Sequence, residues 1–337
     1  MKTLSPTLLL LFFSQVVIGQ TMREISSKQI IDSSLIFCGG EKHLAKITSC
    51  NITYQFSAPD QSIAIINQQI KTGNKFVQSI LSRAHPTHTT FFNGEKVSRV
   101  KGDSVFHSAD PLLLEELKLK TFNQIQYGYK VLGYELTRLP DQKFKNFDCF
   151  VVDAKSPKGF KTTNFFDKTN FRLLMVVYPN GNKSLMINYV FKDSVLINSL
   201  IITTFVDSEE MQSQQLVKAE LNAAISDTWF NCPYTDKVFL PDYIITGKFE
   251  SITGAATIFE RTKKSQDYLD EQGKVSLQRP LKWRSSDTFG LKNEMAKETE
   301  DPSKEILVRI ISWDKQGYVC QWQAGIYTDT QEYKIIK

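Results

Sequence analysis

The stretch NFFDKTNFRLLMVVYPNGNKSLMINYVF, residues 164–191, constrains the fold most, because both of its faces are apolar. Side chains alternate with period two, and turn residues at Asp167–Asn170 and Asn180–Gly181 divide the stretch into three antiparallel strands. A sheet in water usually wets one face and buries the other. Here something must cover both.

Asn180–Gly181, taken as a two-residue type I′ turn, sets a register. It places Tyr178 opposite Lys183, Val176 opposite Leu185, Leu174 opposite Ile187 and Arg172 opposite Tyr189. Phe165 joins that face. Lys161, Arg172 and Lys183 also fall on it, so it is expected to face outward, partly covered by the C-terminal part of the chain. Asn188 and seven apolar residues make the other face, expected to look inward onto a cavity roofed by helices. The expected ligand-lining residues are therefore Phe166, Phe171, Leu173, Met175, Val177, Met186 and Val190. Methionines suit a wall that adapts to flexible acyl chains. A simply filled core fits the same row equally well.

The rest of the chain supports a mainly β protein. Residues 46–58, 61–71, 74–84 and 88–108 alternate with period two, with turns at Pro59–Asp60, Gly73–Asn74, Asn93–Gly94 and Gly102–Asp103. Before them, Arg23–Phe37 has helical spacing and stops at Gly39–Gly40, and a short helical turn follows at Glu41–Ala45. ADPLLLEELKLKTFNQI interrupts the strands with a helix capped by Asp110, with Pro111 as its first residue. Strands resume at Tyr134 and run to Leu221. Residues 223–233 form an exit segment, with Trp229 and Phe230 folded back on the sheet. A second β-rich unit begins near Asp236, and the charged stretch Lys292–Lys304 within it is expected to be a solvated loop.

The 337 residues suffice for two cores, and 23 Phe suit a β-rich interior. Net charge +5 is spread along the chain, and no basic block alternates with aromatics, so no nucleic-acid partner is expected. MKTLSPTLLLLFFSQVVIGQ has the charged, apolar and small-residue regions of a secretory signal peptide, with cleavage expected after Gly19. Its apolar run is too short to span a bilayer. The mature chain is expected in the periplasm or secreted. Five cysteines (Cys38, Cys50, Cys149, Cys232, Cys320) cannot all pair; a short Cys38–Cys50 loop and free buried thiols are both open.

The order of motifs resembles the LolA-like outer-membrane lipoprotein-sorting proteins of Gram-negative bacteria, in the variant common in Bacteroidetes. The resemblance is carried by GGEKHLAKITSCNITYQF, KTGNKFVQSI, FFNGEKVSRVKGD, the run from Phe144 to Val177, YVFKDSVLINSLIITTF and the closing QQLVKAELNAAISDTWFNCP, and covers roughly residues 23–233. It implies a curved antiparallel incomplete barrel with a helical lid over residues 20–235, following a signal peptide at 1–19. LPDYIITGKFESITGAATIFERTKK faintly resembles a small lipocalin-like barrel, so residues 236–337 are expected to form a second small β-rich domain. The function implied is a non-catalytic carrier of lipid, lipoprotein acyl chains or another apolar ligand, served by membrane-bound envelope proteins. The alternative is an envelope protein-interaction module with a filled core and an exposed patch across Phe165, Leu174, Val176 and Tyr178.

Catalytic signatures are missing from the sequence: no nucleophile elbow, H-E-x-x-H, Walker loop or dinucleotide fingerprint occurs. No cofactor is expected. His85, His88 and His107 form no metal set, since 85 and 88 point to opposite faces of a strand and Pro86 disrupts pairing. Asp207, Glu209 and Glu210 fall in a turn.

Overall fold

In the computed structural model, the described residues are 24–336 apart from 58–62, 74, 83–87, 207–210, 237, 254–256, 293–304 and 325–326. The signal-peptide segment, the Pro59–Asp60 turn, Asn74, His85, the acidic turn at 207–210 and most of the 292–304 loop lie outside them.

Helix α1 (Ser27–Phe37) begins with a reciprocal capping box between Ser26 and Gln29. It ends where Gly39 and Gly40 take positive φ, and α2 (Glu41–Leu44) follows. Six strands come next: β1 (Ser49–Ser57), β2 (Ile63–Lys71), β3 (Lys75–Ser82), β4 (His88–Phe92), β5 (Val97–Lys101) and β6 (Ser104–Ser108). The expected single helix is two, α3 (Pro111–Lys120) and α4 (Ile125–Val131). Asp110 caps α3 through Leu112 N at 2.8 Å. Then follow β7 (Glu135–Phe144), β8 (Phe147–Lys155), β9 (Lys161–Asp167), β10 (Leu173–Val177), β11 (Lys183–Lys192), β12 (Val195–Thr204) and β13 (Met211–Leu221).

All thirteen strands form one antiparallel sheet in the order 6-5-4-3-2-1-13-12-11-10-9-8-7. Two meanders meet at its centre, where β1 pairs with β13. The edges β6 and β7 are joined by residues 109–134, which carry α3 and α4. A flat sheet of this width would hold its edges about 58 Å apart. The sheet instead curls around the two helices, for Phe92 of β4 and Phe166 of β9, eight places apart in that order, share one core with Tyr129 of α4. The result is an incomplete barrel whose mouth is crossed by its own connecting helices.

Helix α4 is fastened to the concave face and to α1 by buried polar contacts. Gln124 Nε2 donates to Leu196 O (2.6 Å), Gln126 Nε2 to Ser34 Oγ (3.0 Å) and Tyr129 OH to Asn164 Oδ1 (2.7 Å). Ile30, Ile31 and Leu35 of α1 pack into the same core as Phe92, Tyr129 and Phe166.

A second unit holds a short helix α5 (Asp242–Ile245) and eight strands: β14 (Gly247–Ser251), β15 (Ile258–Arg261), β16 (Ser265–Leu269), β17 (Val275–Trp283), β18 (Thr288–Lys292), β19 (Glu305–Trp313), β20 (Gly317–Ala324) and β21 (Tyr327–Ile336). These close into a barrel through pairing of β14 with β21. At its core lies Arg261, only 2% exposed, whose Nη2 donates to the last-turn carbonyl of Ile244 (3.0 Å). Its guanidinium lies 4.7–5.8 Å from the ring centres of Phe249, Phe259, Phe289 and Tyr318. Four aromatic faces replace part of its hydration.

The barrel docks on the outer side of β3–β5. Val77, Phe91, Val100, Phe230 and Tyr234 form one apolar cluster there, joined by Trp313 of the barrel. Phe230 thus folds back onto the sheet as the sequence implies. At this junction Arg309 Nε donates to Asp287 Oδ2 at 2.9 Å, with side chains 1% and 0% exposed. Arg309 also donates to Thr89 of the large sheet, and Tyr234 OH to Asp287 (3.3 Å). Packing alone removes the barrel from the place expected of it: it covers β3–β5, not the ribbon.

The ribbon's second face carries a buried cluster of its own, flanked by the edge strand β7, which pairs with β8. Leu139 and Phe144 pack on a cluster of Cys149, Val151, Phe165, Leu174 and Met175. A register shift between Leu139 and Gln142, at Pro140, accompanies that arrangement. The five cysteines are free thiols. Burial pushes the Cys38, Cys50 and Cys320 thiols up to about 12.

Candidate functional site

The register of the ribbon differs from the sequence expectation by one residue. Met175 faces Leu185, Val176 faces Ser184 and Val177 faces Lys183. Pro179 is the reason. Its fixed φ suits the first central position of a type I turn, and Gly181 N donates to Tyr178 O at 2.8 Å. Gly181 then takes φ 80°, giving a three-residue loop closed by Tyr178 N to Asn182 O. Asn180, which a type I′ turn would place at positive φ, stays at negative φ.

A bulge changes the faces further. Leu173 pairs with Phe166 and Met175 with Phe165, so Leu174 is the extra residue. Leu173, Val176, Phe166, Phe171 and Met186 belong to the helix-covered core. Met175 and Val177 belong to the cluster on the opposite face. Val190 is 42% exposed, beyond two register shifts in β11. The inward assignment of Met175, Val177 and Val190 is therefore corrected. Phe165, Leu174 and Val176 are buried and Tyr178 half-buried, so they form no exposed patch.

Between the concave face and α3 lies a cavity of about 680 Å³. Its walls come from strands far apart in the sheet: Ile70 of β2, Phe76 of β3, Met186 of β11 and Ile201 of β12, with Phe160 and Tyr178 from the turns. Leu112, Leu113, Phe122 and Ile125 form the roof. Of the seven expected lining residues only Met186 reaches it; Phe166, Phe171 and Leu173 lie in the adjacent packed core. Its size is in the range of ligand pockets.

Polar residues complete the lining, and sequence reading missed them. Gln68 and Gln78 face each other on β2 and β3. Gln212 and Gln214 of β13 lie beside Thr203 and Ile201 of β12. The signal was present: Gln68 falls in the same alternating row as Ile66 and Ile70. At the rim, Lys120 pairs with Glu116 (2.6 Å) and Lys161 with Asp153 (2.5 Å). Burial raises the Tyr54 phenol well above its usual range, and its OH donates to Asn198 O (3.3 Å).

The two lid helices are held differently. Helix α4 has the buried hydrogen bonds described above. Among the described residues, the side-chain hydrogen bonds and ion pairs of α3 stay within that helix and its ends: Glu116 with Lys120, Glu115 with Lys118, Asp110 with its own first turn. Among the described residues, packing rather than hydrogen bonds or ion pairs to the sheet seats α3 over the cavity.

Solved structures similar to this one include a LolA superfamily protein from Nitrosomonas europaea: 13% identity, 61% of this chain, 98% of that chain, TM-score 0.43. A putative outer membrane lipoprotein-sorting protein domain from Vibrio parahaemolyticus is similar over 61% of this chain and 97% of that one, with 12% identity and TM-score 0.40. The MucA/MucB complex of Pseudomonas aeruginosa matches over 90% and 92%, with 9% identity and TM-score 0.22. The similarity is to LolA-like folds. No protein-family model and no curated protein sequence matches the chain.

Among the described residues, no group of three or more His, Cys, Asp or Glu side chains is placed to share a metal ion. His107 instead bonds Ser98 Oγ (2.8 Å) and Thr235 O (2.5 Å). No described helix is long and apolar enough to cross a membrane.

Proposed function

We propose that this protein is an exported, non-catalytic carrier that takes the apolar part of a lipid, an acylated protein or a similar amphiphile into the half-barrel. Residues 1–19 act as a cleaved leader, 20–235 as the carrier domain and 236–337 as an accessory barrel. The observation that carries the reading is the cavity of about 680 Å³ between the curved sheet and a helix seated on it by apolar contact. Each buried methylene contributes about 0.8 kcal/mol, so twelve bring about 10 kcal/mol before the cost of association. Entry requires only that α3 lift, while α4 stays fastened. Membrane-bound envelope proteins would load and unload it.

The test uses the mature chain purified without detergent. Native mass spectrometry should find a co-purifying amphiphile, or the chain should take up a pyrene-tagged dodecanol. Met186→Glu puts a carboxylate in the cavity wall and should weaken uptake at least about tenfold, the cost of leaving a charge in an apolar site. Met175→Glu, on the far face, should leave the uptake of folded protein unchanged. An empty chain that takes up no probe, or a Met186→Glu variant that binds as well as the parent, would overturn the carrier reading.

A further inference from the structure

We propose that the cavity selects amphiphiles whose uncharged head carries hydroxyl or amide groups; this rests on the carrier reading. Three features of the lining converge on it. The first is size: a cavity of about 680 Å³ has room for at least one acyl chain together with its head.

The second is the polar part of the lining. An acyl chain asks nothing of its wall except apolar surface, yet four glutamines project into this one. Gln68, Gln78, Gln212 and Gln214 are half-buried in this wall, and among the described residues the buried Asn198 Oδ1 has no hydrogen-bond partner. Each carboxamide offers two N–H donors and a carbonyl acceptor. Covering them with hydrocarbon would forfeit their bonds to water, so a bound ligand must answer with donors and acceptors of its own. Ser184 and Thr203, whose hydroxyls lie 3.3 Å apart, extend the polar surface beside Gln212.

The third is charge. Lys120 and Lys161 are the cationic residues of the lining, and Glu116 and Asp153 already pair with them. Asp110, the remaining acid, accepts from the first turn of α3. A phosphate or carboxylate head would enter a site with no uncommitted cation, and a cationic head one with no uncommitted carboxylate.

The experiment is competition against pyrene-tagged dodecanol bound to the full chain. Monooleoylglycerol, and a peptide amide carrying a single N-acyl chain, should each displace the probe at least about tenfold more effectively than lysophosphatidic acid or oleic acid. Which of the first two is stronger separates a free lipid from an acylated peptide as the source. Replacing Gln68, Gln78, Gln212 and Gln214 by Leu should keep probe uptake and bring the head-group preference close to unity. Equal displacement by the charged competitors in the parent chain overturns the inference even if the variant does not fold. So does a folded variant with undiminished preference. Probe capture without selectivity leaves the carrier reading standing; a chain that captures no probe overturns both.

Discussion

Asp287 and Arg309 form a fully buried charged pair at the junction of sheet and barrel, and Asp287→Ala measures it. Both side chains are buried, with Arg309 Nε 2.9 Å from Asp287 Oδ2. Asp287 also accepts from Thr288 Oγ1 (2.8 Å) and Ser285 Oγ (3.0 Å). Removing the carboxylate leaves a guanidinium at the junction between sheet and barrel with no counter-charge. Breaking a buried pair from one side costs about 3–5 kcal/mol, whereas replacing both members by apolar groups is often neutral. The single variant should therefore lose about 4 kcal/mol. Asp287→Ala combined with Arg309→Met should lose far less. Urea unfolding followed by tryptophan fluorescence reads this directly, because Trp313 packs 5.0 Å from Tyr234 at the same junction. With a slope of about 3 kcal/mol per molar urea, 4 kcal/mol becomes a midpoint lowered by about 1.3 M. A single variant within about 0.3 M of the parent, or a double variant as damaged as the single, would refute the reasoning.

Two further outcomes are expected. Burial, with Arg99, Arg309 and Lys101 nearby, holds the His88 pKa below its ordinary 6.5, so the unfolded chain takes up the proton first. Its contribution is thus complete above pH 6.5 and lost as the pH falls toward the folded value; His88→Gln should flatten stability measured against pH in that window, and an unchanged slope would show the imidazole to be uncoupled from folding. A Cβ at Gly128 of α4 would lie 2.8 Å from Leu119 Cδ1 and 2.9 Å from Phe122 Cδ2. Alanine there gains about 1 kcal/mol of helix propensity but overpacks by about 1–3 kcal/mol, so thermal melting should move down by a few degrees, and a rise would mean that the helices part freely.

The strand segments and the interrupting helix were legible because turn residues and period-two alternation are local. Asp110–Pro111 marks the start of α3 at the right residue for the same reason. Faces were harder. One proline and one bulge, at Pro179 and Leu174, each shift parity by a residue, and alternation carries the error down the strand. Gln68 and Gln214 were passed over because a polar residue in a strand is normally assigned to water. Strands β16 and β18 carry little local signal: the first is polar, the second begins Thr-Phe-Gly between serines and a charged run. Which strand meets which across the chain, above all β1 with β13, is set by tertiary closure that no short window contains.

That central seam has a bearing on how the chain acquires its structure. Cys50 pairs with Leu221 and Ser57 with Ser213, so the middle of the sheet is formed by its most distant segments. Until β13 arrives, β1 has a bare edge, and the meander from β7 has another. Pairings of such long sequence separation form slowly, because the loop entropy is lost before any contact repays it. Unpaired edges are templates for other chains in the meantime. Folding of this sheet should accordingly be slow, end at its centre rather than its margins, and be most prone to aggregation just before the seam closes.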